Sequence, residues 1–289
     1  MSRNRLMRRA GRAVLALAVS LLAPAVALAA PQCRFDQAPT TVVFTGYTPF
    51  GPGVAATSTL HWDCPNPVTA AWIGISTPRV MTAGAETLQF ELYQEAARTN
   101  VWREAPPVPV PAQRNGTATV YAFLPAPQNA AAGAYTATLT VRLYTDAIGT
   151  ESDAASLLVQ ATVAPACTVN PATLAFGSYD PYGANAAAPL DAQAAIDIAC
   201  TRNTPWTVGL GTGNNPLGAM RQMASGAQRL QYQLYSDSGR ATVWDGIATV
   251  GGTATSVAPV SLPVYGRVPA GQIVIAGPYA DAVTSTINF

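Results

Sequence analysis

LQFELYQEAARTNVW (88–102) and LQYQLYSDSGRATVW (230–244) are two versions of one pattern, 142 residues apart. The relation returns on either side. YAFLPAPQNAAAGAY (121–135) matches YGRVPAGQIVIAGPY (265–279) at an offset of 144, and FTGYTPFG (44–51) echoes FGSYDPYG (176–183). The four cysteines keep the same register: Cys33 and Cys64 lie 31 residues apart, Cys167 and Cys200 lie 33 apart. Self-similarity at one long period marks a duplication, so the chain holds two homologous domains joined near residue 165. Tyr93/Tyr235, Trp102/Trp244, Tyr121/Tyr265, Gly133/Gly277 and Tyr135/Tyr279 recur in both halves. They are read as core and turn architecture. A function special to one domain belongs in what does not recur.

Within each half the hydrophobic period is two. In 135–143, Tyr135, Ala137, Leu139, Val141 and Leu143 alternate with Thr136, Thr138, Thr140 and Arg142. That is a half-buried strand with a hydroxyl-rich outer face. Turn-forming stretches such as SDSG (236–239), PQNAAAG (127–133) and GTGNNPLG (211–218) separate such segments. Short strands, frequent turns and one disulfide per domain predict an all-β chain of two β-sandwiches.

The first 29 residues are an address. Five arginines precede an apolar run over 13–28, and Ala27 and Ala29 supply the small-x-small pattern for cleavage after Ala29. The run is too short for a spanning helix and contains Pro24, so it reads as a secretory signal peptide. Without residues 1–29 the chain keeps 11 arginines and 15 acids, and 11 − 15 gives a net charge of −4; there is no lysine. A weakly acidic, lysine-free surface argues against nucleic acid as a partner.

No catalytic or metal constellation stands out, and no cofactor is expected. His61 is the one histidine, in STLHWDC on an expected strand. There is no close Cys-x-x-Cys pair for zinc. Oxidised cysteines offer no thiol nucleophile. GLGTGNNPLG (209–218) lacks the lysine of a phosphate loop, so it reads as a turn.

Cys167, FGSYDPYG, Cys200, LQYQLYSDSGRATVWDG and the ending VYGRVPAGQIVIAGPYADAVTSTINF together resemble the spore coat protein U domain family, which includes secreted subunits of archaic chaperone–usher pili. The second domain matches nearly end to end. The first carries a looser copy, with LYQEAARTNVWRE and YAFLPA at the corresponding places. The resemblance implies immunoglobulin-like, pilin-type sandwiches that lack their final strand. Such a domain exposes an apolar groove and an unpaired sheet edge. It must borrow a strand, first from a periplasmic pilus chaperone and then, past an outer-membrane usher, from the neighbouring pilin subunit.

The domains are placed at 30–164 and 165–289. Between them SLLVQATVAPAC (156–167) alternates Leu157, Val159, Ala161 and Val163 against Leu158, Gln160 and Thr162. This segment is expected to close the first domain in cis over 156–163, against the alternative of an ordinary linker. The strand carrying Tyr279, Val283, Ile287 and Phe289 is then the edge of an open groove in the second domain. Ala30, Pro31 and Gln32 ahead of Cys33 are too few to donate a strand, so the expected subunit accepts and does not give. This places it at the distal tip of a surface fibre, as an adhesin whose first domain meets an abiotic or host surface. The rival is a structural coat protein of a spore or cell surface. Val80 and Met81 in TPRVMTAG, Val108 and Val110 in APPVPVP, and Tyr47 and Phe50 in GYTPFGPGV are the candidate contact loops.

Overall fold

The computed structural model describes residues 32–36, 40–66, 68–146 and 149–289. The expected signal peptide lies outside them. Among the described residues, no helix is long and apolar enough to cross a membrane.

The first domain is built from β1 (Arg34–Phe35), β2 (Thr40–Phe44), β3 (Val54–Asp63), β4 (Ala71–Ile75), β5 (Val80–Ala83), β6 (Glu86–Gln89), β7 (Glu91–Tyr93), β8 (Val108–Val110), β9 (Gly116–Leu124), β10 (Gly133–Tyr144) and β11 (Glu151–Val163). One sheet runs β1-β3-β9-β7 and the other β2-β11-β10-β4-β8, with the β5–β6 hairpin attached to β10. The second domain follows with β12 (Cys167–Asn170), one 3-10 turn at Ala184–Ala186, β13 (Leu190–Cys200), β14 (Pro205–Leu210), β15 (Arg221–Ser225), β16 (Gln228–Tyr235), β17 (Val250–Thr253), β18 (Val260–Val268) and β19 (Ser285–Asn288). Its sheets run β12-β13-β18-β16-β15 and β17-β14-β19. The fold is all-β, as the two-residue period predicts.

Inward residues of facing sheets form one apolar core per domain. Trp62, Leu92, Val120, Leu124 and Val141 meet in the first, and Ile198, Val208, Leu230, Trp244 and Val268 in the second. Disulfides Cys33–Cys64 and Cys167–Cys200 staple β1 to β3 and β12 to β13, each with Cα atoms 4.1 Å apart.

The duplication reaches individual hydrogen bonds. Gln128 caps the backbone of Gln89 from both sides and donates to the Pro125 carbonyl; Gln272 repeats this on Gln231 and Pro269. Tyr47 donates to Pro125 and Tyr179 to Pro269. Buried Arg79 donates to the carbonyls of Ile75 and Trp102, and buried Arg221 to those of Leu210 and Trp244. Each guanidinium ties together carbonyls that would otherwise be buried without partners. Arg98 and Arg240 both adopt positive φ, at 56° and 57°. Glu95 and Asp237 each accept backbone amides in the same turn.

Candidate functional site: an uncovered sheet edge and its groove

The two domains differ at one edge. In the first, β10 has a neighbour on both sides. β4 pairs with its C-terminal part, through Val141↔Ile75 and Leu143↔Ile73. β11 pairs antiparallel along its whole length, from Gly133↔Val163 to Tyr144↔Glu151. β11 also pairs in parallel with β2, through Val42↔Val159. Leu157, Val159, Ala161 and Val163 all point into the core and are buried.

In the second domain β19 pairs with β14, through Leu210↔Ser285 and Val208↔Ile287. Among the described residues no strand pairs with its other edge. The consequences spread to both neighbours of the missing position. The strand expected over 279–289 shortens to Ser285–Asn288; ahead of it the backbone of 279–284 makes the isolated bridge Ala224↔Ala280 and one bond from the Gly211 amide to the Thr284 carbonyl. Residues 172–176 are the counterpart of β2 and form no strand at all. β2 owes its ladder to β11, and 172–176 has no such partner.

The core is opened along the same edge. Tyr135, Leu139 and Leu143 of β10 are 0 %, 4 % and 0 % exposed, whereas their counterparts Tyr279, Val283 and Ile287 are half-buried. Beside them runs a two-part groove. One hollow of ≈ 650 Å³ is lined by Leu174, Phe176, Leu190, Met223, Leu230, Val268, Val274 and Tyr279. A second of ≈ 460 Å³ continues past Ile196, Leu210, Tyr232, Leu234, Val264 and Val283. Leu174, Phe176, Met223 and Tyr279 line both, so the two hollows are one trough. Phe289, the residue after β19, is exposed and lines neither hollow.

One polar pair stands in this apolar wall. Tyr232 donates to Asp281 Oδ2 at 2.7 Å, and Asp281 Oδ1 accepts the Asn214 amide at 2.8 Å. The first domain has Phe90 and Ala137 at these places. Burial, reinforced by the Asp281 carboxylate, pushes the Tyr232 phenol up. Burial likewise lowers the Arg221 pKa, opposed by Tyr232, Asp245 and Asp281. Both groups are held by hydrogen bonds within the fold. Among the described residues there is no metal-binding cluster and no free cysteine. His61 sits on β3 opposite Thr117.

The candidate contact loops need correction. TPRVMTAG is not a free loop, since Val80 and Met81 lie on β5; Met81 is 0 % exposed, its side chain turned into the core by the strand alternation. Tyr47 is 3 % exposed and anchored to Pro125, as its counterpart Tyr179 is anchored to Pro269. Val108 and Val110 flank Pro109 on edge strand β8 and pack partly on the core. Phe50 is half-buried. Among the described residues of the first domain, Val43 is the exposed large apolar side chain; Tyr182, Leu217, Ile247, Val260, Ile273, Ile275 and Phe289 all belong to the second. The buried arginines and glutamine caps were missed in the sequence, although their recurrence at offsets of 142 and 144 was there to be found.

The spore coat protein U domain model matches residues 18–142 and 153–286. The chain belongs to the spore coat protein U domain family. The second match opens at residue 153, so by sequence it takes in β11, which by structure lies in the first domain's sheet. Protein U of Myxococcus xanthus is 33 % identical over 150 residues, covering 47 % of this chain and 84 % of that protein. Among solved structures, a chain of the CsuC–CsuE chaperone–tip adhesion subunit pre-assembly complex, from the archaic chaperone–usher Csu pili of Acinetobacter baumannii, superposes with a TM-score of 0.58. It is 18 % identical, with 89 % of this chain and 100 % of that chain covered, and so is a likeness of fold.

Proposed function

We propose that the chain is a two-domain subunit of a chaperone–usher surface fibre, placed at its tip, whose second domain receives a β-strand from the next subunit. The observation that carries this is the contrast between β10, covered by β11, and β19, which has one covered edge and a trough beside the other. The same sandwich within one chain supplies the pattern of the filled state. A strand entering the trough completes the ladder of β19, gives 172–176 a neighbour, and buries Tyr279, Val283 and Ile287. On this reading β11 is the closing strand of the first domain, held in cis. An open edge of this kind also calls for a periplasmic chaperone during export and an outer-membrane usher for assembly, in keeping with the signal peptide read over 1–29.

The first domain, with its edge closed, is free to face outward and contact an abiotic or host surface. The paucity of exposed large apolar groups there favours contacts built from polar groups and from the half-buried Val80, Val108, Val110 and Phe50, over deep insertion of apolar loops. A coat protein of a spore or cell surface is the second reading, favoured by the match to the spore coat protein U domain.

Immunogold electron microscopy of producing cells, with antibody to residues 33–150, tests the proposal. Single particles at the ends of thin fibres are expected. Even label over the envelope with no fibres supports the coat reading and overturns the tip placement.

A further inference from the structure

The junction between the two domains predicts the junction with the next subunit. Where β11 leaves the first domain, at the pair Gly133↔Val163, the loop 128–132 meets the second domain. Two of its residues make the contact. The Asn129 carbonyl accepts from Arg202 and its side chain accepts from the Val257 amide, while Ala131 forms a bridge with Arg202. Arg202 is also ion-paired with Glu86. Ala130, between them, points instead into the first domain's core.

The second domain repeats this loop as 272–276. Val274, the counterpart of Ala130, packs on its own core. Ile273 and Ile275, the counterparts of Asn129 and Ala131, are 67 % and 63 % exposed. The backbone is held alike in both loops: Tyr135 donates to the Ala131 carbonyl and Tyr279 to that of Ile275. Two large aliphatic groups thus stand in water at the positions whose equivalents touch the following domain, where Ala131 is buried and Asn129 stays exposed but hydrogen-bonded. They lie beside Gly277, where a strand inserted as β11 is would leave the trough.

We infer that Ile273 and Ile275 form a second contact with the next subunit, against the globular domain that follows its donated strand, and that this partner face is apolar where Arg202 and Val257 make the internal junction polar. The inference rests on the strand-accepting reading of the trough. The inserted strand supplies the hydrogen-bond ladder; the two isoleucines fix the angle of the body behind it and exclude water there.

Because free cysteines are lacking among the described residues, Ile275→Cys supplies a specific label site, and Ile247→Cys, 94 % exposed and remote from the junction loop in sequence, is its control. Each full-length variant is compared in two states: as a monomer whose trough is filled by a copy of residues 154–164 fused after Phe289, and in fibres sheared from cells. Ile275 also borders the first hollow, so the fused monomer is its reference: position 275 should react with maleimide at least tenfold more slowly in fibres than in the fused monomer, while position 247 reacts alike in both. An equal rate at 275 in the two states overturns the contact, as does protection found only in a chaperone-bound form. If neither variant enters fibres while the unsubstituted chain does, an Ile273→Asp/Ile275→Asp chain decides. It should bind the 154–164 peptide normally yet enter fibres several-fold less; an undiminished yield overturns the inference. If the unsubstituted chain enters no fibres, the underlying reading falls and this one with it.

Discussion

Tyr135 and Tyr279 make the same hydrogen bond, 2.9 Å to the Ala131 carbonyl and 3.0 Å to that of Ile275, yet the first ring is sealed in a core and the second borders an open trough. The rings are equivalent by descent and by local geometry. What differs is β11, which lies over one and, among the described residues, has no counterpart over the other.

Filling the trough should therefore stabilise the second domain. A copy of residues 154–164 fused after Phe289 would bury three half-exposed large side chains, each worth at most about 1.5–3 kcal/mol. After the cost of ordering the strand, a rise in the second domain's thermal midpoint on the order of 10 °C is expected. Calorimetry of the chain with and without the fusion measures it. An unchanged midpoint, with the unfused chain already monomeric and protease-resistant, would remove the open-edge argument.

Equivalent truncations should have unequal effects. Leu139→Ala empties a packed site beside Leu157 and should cost about 2–4 kcal/mol. Val283→Ala removes a group that is still half in water, so about 1 kcal/mol is expected. In the strand-fused chain the second loss should grow. Urea unfolding of the three variants beside the unsubstituted and fused chains checks the order, and equal losses for Val283→Ala in fused and unfused chains would contradict it.

Arg221→Met should destabilise the second domain by about 2–4 kcal/mol, because the carbonyls of Leu210, Gly211 and Trp244 lose their shared donor inside the fold. Arg79→Met should do the same to the first domain and also leave Glu91 without its ion pair. Domain-resolved hydrogen exchange distinguishes the two. Loss of protection in the domain that was not altered would count against independent cores.

Alkaline pH should loosen the first domain through Tyr47. Burial pushes its phenol from 10.0 up to about 12, so folding favours the protonated form. The stability this confers is full below pH 10 and is lost as pH rises towards 12. Tyr47→Phe should weaken the domain slightly at neutral pH, for want of the hydrogen bond to Pro125, and flatten its decline over that window. Stability curves against pH for the two proteins decide it; parallel curves would exclude Tyr47 as a contributor.

Much of the architecture was legible. The offset between residues 88–102 and 230–244 identified the duplication, and the alternation over 135–143 matched the buried row Tyr135, Leu139, Val141 and Leu143. Equal cysteine spacings anticipated both disulfides. The loops were less legible. Met81 sits in a four-residue strand between turn residues, too short to show a period, and Tyr47 is buried by a hydrogen bond to a residue 78 positions away. Neither signal is local.

The sequence by itself determined two like sandwiches and the alternating segment between them, because side-chain period and repeat offset are properties of neighbouring residues. Only the tertiary structure decided which sheet edge that segment covers. Residues 135–143 and 279–287 carry closely similar patterns, yet one lies in a twelve-residue strand and the other contributes only to a four-residue strand. A ladder needs a second strand at hydrogen-bond distance, and that partner is supplied by folding, not by the segment that receives it.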